Sequence, residues 1–163
     1  MGSLMKRLFG RARPAARAPH LALGETGEHK AAGYLKSTGK YRIVAMNFKV
    51  LLGRGLGGRK VTAEIDIIAY EGDILVFIEV KTRTTGEIAA PQAAVGLRKQ
   101  RQIARAARRY RQMMDLMDEP YRYDVVTVVG DPSAGYQIDL LRAYFDDSVF
   151  RRARYFSSHN HPS

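Results

Sequence analysis

The chain has 163 residues, roughly one domain's worth, with 45% apolar content and a mean hydropathy of −0.29, which excludes a fibrous, membrane-spanning or wholly disordered protein. The absence of cysteine removes disulfides, thiolate zinc sites, iron–sulfur clusters and cysteine nucleophiles, so any metal must be held by oxygen or imidazole. Lys and Arg number 27 against 16 Asp and Glu, a net charge of +11 that attracts polyanions: nucleic acid first, an anionic membrane second.

Residues 1 to 24 hold Lys6, Arg7, Arg11, Arg13 and Arg17 without an acid and read as a mobile basic arm, or as a loose terminus with no role. The remainder is itself net positive. From Glu25 to Ser37 small and apolar residues recur at helical spacing, Ala31, Ala32 and Leu35 sharing a stripe before Gly39. Glu28 lies one turn ahead of Ala32. On a buried face it needs a partner or a metal, whereas on an exposed first turn the helix dipole favours it, and the sequence leaves both readings open. Residues 42–52 form an expected strand. Gly53 to Lys60, with four glycines and three cations, is expected to be a flexible loop and lacks the Lys-Ser/Thr pair of a phosphate-cradling loop. AEIDIIAY and ILVFIEVKTR are β-branched runs around the turn EGD. A long helix is expected from about Pro91 or Ala93 to Met117. Ile103, Ala106, Ala107, Tyr110, Met113, Met114 and Met117 make its apolar side, and Arg98, Lys99, Arg101, Arg105, Arg108, Arg109 and Arg111 the rest. YDVVTVVG and YQIDLLRAY are two further strands, Arg122 and Asp124 being expected as a structural ion pair, and residues 146–163 a partly disordered tail. Helix, three strands, helix, two strands implies an α/β fold: a mixed sheet of about five strands flanked by helices.

The hairpin carries the chemistry. Gly72 supplies the positive φ of a two-residue turn, so Glu71 pairs with Ile74, Asp66 falls opposite Glu79 and Glu64 opposite Lys81, all on one face. The other face is Ile65, Ile67 and Ala69 with Ile74, Val76, Ile78 and Val80. Like charges opposed across strands are destabilising and need compensation. A salt ladder of Glu64, Asp66, Glu79, Lys81 and Arg83 is one answer. A hard divalent cation on Asp66 and Glu79, with the Val80 carbonyl and waters, is the other and the better one. Lys81 would then stand beside the metal to position a water or offset phosphate charge, which suits phosphodiester hydrolysis.

EID, twelve residues, then EVK is similar to the signature of the PD-(D/E)xK nucleases, with their restriction-endonuclease-like fold. The wider pattern resembles the YraN family, uncharacterised bacterial proteins similar to Holliday junction resolvases: GEHKA at 27–31, MNFK at 46–49, AEIDII at 63–68, VFIEVKTR at 76–83, RKQRQI in the long helix and RYDVV at 122–126. The chain departs from the usual GEID at Ala63, and its glycine-rich loop is longer than usual. The resemblance covers roughly residues 24–145, expected as one nuclease domain. It implies Asp66 and Glu79 as metal ligands for Mg²⁺ or Mn²⁺, Lys81 as the catalytic lysine and Glu28 as the helix carboxylate that completes the site. The implied activity is a metal-dependent, structure-selective endonuclease on junction or branched DNA, with DNA favoured over RNA. The alternative is a non-catalytic nucleic-acid-binding module on the same fold.

Lys99 matches the family's helix lysine and is the first candidate for a phosphate contact. Arg83, Arg98, Arg101 and Arg105, with the loop cations Arg54, Arg59 and Lys60, are the others. No residue announces base-edge readout. A junction enzyme needs two active sites, so a homodimer is expected by function rather than from any residue. Without a membrane span or a leader pattern, the chain is expected in the cytoplasm.

Overall fold

The structure is a computed structural model that describes residues 19–84 and 95–150, with side chains from residue 26 onward in the first of these stretches. Most of the basic arm, the segment 85–94 and the tail from 151 lie outside the described residues. The order is α1 (Pro19–Ser37), β1 (Tyr41–Arg54), β2 (Lys60–Glu71), β3 (Ile74–Arg83), α2 (Leu97–Met113), β4 (Tyr121–Asp131) and β5 (Gly135–Phe145), closed by a 3₁₀ turn over Asp147–Phe150. The strands form one open mixed sheet in chain order, antiparallel except for the β3–β4 pair, as the α/β reading expects.

The central strands are apolar on both sides and divide their side chains between two cores. Leu75, Phe77, Ile68 and Val125 pack with Ile103, Ala106, Ala107 and Tyr110 of α2. Val76, Ile78, Val80, Ile67, Val126 and Val128 pack with Ala31, Ala32 and Leu35 of α1. Phe77 is wholly buried, and Tyr110 meets both it and Phe48 edge-on, at centroid distances of 5.9 and 5.1 Å. Small residues let α1 approach β3 closely: a Cβ on the buried Gly27 would lie 1.8 Å from Thr82 Oγ1.

Several boundaries differ from expectation. α1 starts at Pro19, a residue suited to a first turn, so the end of the supposed arm is helical. α2 starts at Leu97 after an extended Gly96. Its end is Met113, and Met113, Met114 and Met117 are exposed rather than core. Arg111, expected on the solvated face, is buried instead. Its guanidinium donates to the Leu116 and Met117 carbonyls and sits 3.7 Å over the Tyr121 ring, which ties down the connection from α2 to β4. The glycine-rich stretch is no loose loop: β1 and β2 stay paired to Arg54–Lys60, leaving a single 3₁₀ turn at Leu56–Gly58. The tail also begins ordered, with Val149 buried and its carbonyl accepting from Arg101 Nε at 2.9 Å.

At the β2–β3 turn end, Arg122 binds Asp124 (2.8 Å) and Glu71 (2.6 Å), and Arg142 binds Glu71 at 2.5 Å. Asp124, buried, also accepts the Ala143 N–H at 2.8 Å, where β5 bulges. The expected ion pair is thus the centre of a clamp joining β2, β4 and β5. At the opposite end β2 and β3 come apart.

Gly27→Ala is expected to force α1 off β3 and destabilise the fold by about 1–3 kcal/mol, the usual cost of overpacking. Denaturant melts would check this, with Thr82→Ala restoring part of the loss. An unchanged midpoint would mean that this close approach is not required.

Candidate functional site

Turn chemistry sets the start of the hairpin as expected: Gly72 has φ 58° and Glu71 pairs with Ile74. The ladder then runs only to Ile67–Ile78. Beyond it β2 continues with β1 to Lys60, while β3 continues with β4 to Arg83. The pairing of Asp66 with Glu79 and of Glu64 with Lys81 therefore does not form. Alternation is also reset at this point. Ile65 lies in the α2-side core and Ile67 in the α1-side core, although strict alternation would put both on one face. The facing residue of β1, Asn47, has φ 54° and no partner in the ladder.

The parting strands leave a cleft, and Asp66 occupies its apex. Its Oδ2 accepts the Val80 N–H at 2.7 Å, so a carboxylate replaces the missing strand partner. Burial and the neighbouring Glu79 charge push the Asp66 pKa up to about 7, against the Val80 hydrogen bond and Lys99, which pull it down; Glu28 adds to the rise. Groups from both helices thus act on one carboxyl.

Glu79 is the deepest charge here, 2% exposed on the central strand. Lys81, two residues on and hence on the same face, donates to Oε1 at 2.8 Å. Lys99 from the first turn of α2 places its ammonium 3.0 Å from Oε2. That approach is not aligned as a hydrogen bond, and Oε2 is buried without a hydrogen-bond partner. Two cations on one buried carboxylate offset its desolvation while leaving the lone pairs of Oε2 unsatisfied.

The residues expected at the site are brought together unequally. Asp66, Glu79 and Lys81 converge. Glu28 is half-buried on α1, near enough for its charge to act on Asp66. Yet no three Asp, Glu or His among the described residues close into a metal-holding cluster, so Glu28 does not complete one with the other two. Glu64 belongs elsewhere, 3.4 Å from Lys49 across β1. Lys99, expected on a phosphate-facing surface, is a member of the carboxylate site. The two carboxylates present suit a hard divalent cation that keeps most of its own waters, rather than an all-protein cage.

The other expected basic residues separate as well. Arg101 is tied to the Val149 carbonyl. Arg83 is half-buried at the end of β3, and Arg98 is exposed at the start of α2. Arg105 lines an open groove of about 420 Å³ with Arg108, Arg109 and Gln112, closed on its far side by Leu51 and Leu52 of β1. Arg108 and Arg109, named with Arg105 among the helix cations but not as site candidates, share its helix face by their i+3 and i+4 spacing. Arg54, Arg59 and Lys60 are exposed at the hairpin tip.

A raised carboxyl pKa means that the folded state keeps a proton that the unfolded chain has lost. This group's contribution to stability is therefore largest below about pH 4, falls as pH rises to about 7, and is flat above. Asp66→Asn keeps an oxygen for the Val80 N–H and removes the charge. It is expected to flatten that limb and raise the melting temperature at pH 8 in metal-free buffer; a slope equal to wild type would refute the assignment. Lys99→Met is expected to cost about 1–3 kcal/mol, and much less in a Glu79→Gln background. Strictly additive losses in a urea double-mutant cycle would mean that the two side chains do not interact.

Residues 27–128, which hold every element of the site, match the model of the uncharacterised protein family UPF0102. A UPF0102 protein of Geotalea uraniireducens is 40% identical over 130 residues, covering 80% of this chain and 94% of its own. One from Bacteroides thetaiotaomicron is 35% identical over 133 residues, covering 82% and 99%. The crystal structure of SSO0001 aligns with 89% of this chain and 63% of its own at 16% identity and a TM-score of 0.34, too remote to inform the fold. Family model and relatives agree, and the chain belongs to the UPF0102 family, the YraN family that its motifs resemble.

Proposed function

We propose that this protein is a divalent-metal-dependent endonuclease of the PD-(D/E)xK type, acting in the cytoplasm on branched DNA rather than RNA. The observation that carries the reading is the crowding of Asp66 and Glu79 at the apex of the β2–β3 cleft, with two lysines directed at the same point. Structural ion pairs have no need of a second carboxyl whose pKa is pushed up to about 7 by burial and by its neighbour, whereas perturbed carboxyls cluster where chemistry is done. Asp66 and Glu79 would hold Mg²⁺ or Mn²⁺, with Glu28 acting on the site through its charge. The ion supplies Lewis acidity, acidifying water and neutralising phosphate charge.

The chain's own groups supply the rest. The Val80 N–H fixes the rotamer of Asp66, leaving its other oxygen for a ligand. Lys81 and Lys99 place their ammonium groups 2.8 and 3.0 Å from the buried Glu79, and both are about one-third exposed, so either ammonium can turn from Glu79 towards a phosphate. The Arg105, Arg108 and Arg109 groove would track the backbone, without base readout. The occupation of Glu79 by two lysines also favours a second reading, a binding module whose metal site is idle.

The test incubates wild type, Glu79→Gln and Lys81→Met with labelled junction, flap, duplex and single-stranded DNA and with RNA, in Mg²⁺, Mn²⁺ or EDTA, with binding read in parallel. Cleavage is expected only with metal, and both variants are expected to lose at least about 100-fold, the scale of one electrostatic catalytic group. Mn²⁺ is also expected to raise the wild-type melting temperature and not that of Glu79→Gln. Binding without cleavage under every metal would leave the module and remove the enzyme.

A further inference from the structure

The β1–β2 hairpin continues beyond the point where β3 leaves β2 at Ile67, staying paired to Arg54–Lys60. Lys60 is six residues beyond Asp66, about 20 Å at strand rise. The tip is built rather than loose. Gly55 N–H donates to the Arg59 carbonyl at 2.8 Å, Gly58 N–H to the Gly55 carbonyl at 3.1 Å, and Arg54 Nη1 to the Gly58 carbonyl at 3.2 Å. Gly57 (φ 72°) and Gly58 (φ 76°) take a backbone path closed to most residues. On this small turn stands Leu56, 98% exposed, the most exposed large apolar side chain among the described residues. Such a side chain contributes nothing to the core. Its neighbours are three cations and four glycines, so nothing bulky shields it and the surrounding charge suits a polyanion.

We propose that this tip is a wedge for nucleic acid. Leu56 inserts where base stacking is interrupted, at a branch point or helix end, while Arg59 and Lys60 hold the flanking phosphates and Arg54 braces the turn. Apolar side chains on basic supports enter weakened base steps in this way, because unstacking costs least where stacking is already broken. The Arg105, Arg108 and Arg109 groove faces Leu51 and Leu52 on the same hairpin, so one strand of phosphates can run from the groove to the tip. The wedge would then make the selectivity for branched substrates a matter of shape, with the tip about 20 Å, or about six base-pair steps, from the carboxylates. The proposal rests on nucleic acid being the ligand and deepens that reading.

The experiment measures binding of the full chain to a four-way junction and a matched duplex, each carrying 2-aminopurine at the branch or the equivalent step. Wild type is expected to favour the junction and raise the junction fluorescence. Leu56→Ser should abolish the rise and lower the junction-to-duplex affinity ratio about tenfold, with duplex affinity within about twofold and an unchanged melt. Leu56→Phe, which keeps a wedge, should retain the rise. Equal ratios and equal fluorescence in wild type and Leu56→Ser would overturn the wedge while leaving nucleic-acid binding in place. Failure of wild type to bind any nucleic acid would overturn both. Loss of binding to phosphatidylglycerol vesicles in Leu56→Ser, with DNA binding unchanged, would overturn the wedge in favour of a membrane contact.

Discussion

Past Ile67 and Ile78 the two central strands share no further ladder, and the Val80 N–H at that point is taken by the Asp66 carboxylate. A backbone donor left unpaired in the sheet interior would be costly, so the parting of the strands and the inward, half-buried position of Asp66 require each other. The same parting lets both helix layers reach one place. α2 brings Lys99, while α1, drawn close over Gly27 and Thr82, brings the charge of Glu28. At the other end the Arg122–Asp124–Glu71 clamp holds the sheet closed, so the strands diverge like an opened hinge from a tied end.

Charge at the apex is balanced rather than absent. Two carboxylates sit with two ammonium groups, and the acid that cannot be fully compensated holds its proton up to about pH 7. Buried arrangements of this kind seldom maximise stability, since an apolar substitute of the same volume commonly does as well or better. Their retention in a core this well packed is easier to understand if a ligand binds there. The net charge of +11 and the arginine groove beside the hairpin would bring an anionic ligand close.

Much of this was legible beforehand, for physical reasons. The β-branched runs, Gly72 at the turn and the i, i+3, i+4 stripe of Ile103, Ala106, Ala107 and Tyr110 are local signals, and each produced the expected element. Asp66, Glu79 and Lys81 were found because residues within one hairpin stay neighbours whatever the tertiary arrangement. Extrapolating the ladder failed from the first pair beyond Ile67–Ile78, because pairing competes with the pull of β1 on β2 and of β4 on β3, and both partners are remote in sequence or direction. Glycine content misled at the hairpin tip, where the positive φ values serve a tight turn and not flexibility.

The sequence by itself determined the element order, the basic character, the family and the carboxylate-lysine trio, since these depend on composition, short-range periodicity and turn chemistry. Tertiary structure decided that Lys99 faces Glu79, that Arg111 and Arg101 serve as internal donors, and that the charge of Glu28 reaches Asp66. It also decided that Leu56 stands exposed on the hydrogen-bonded tip of a paired hairpin. Those outcomes turn on where a long cationic or apolar side chain ends after the helices dock. A flexible stem of four or more bonds can reach solvent or a buried acceptor from the same Cα, and only the packed neighbours decide between them.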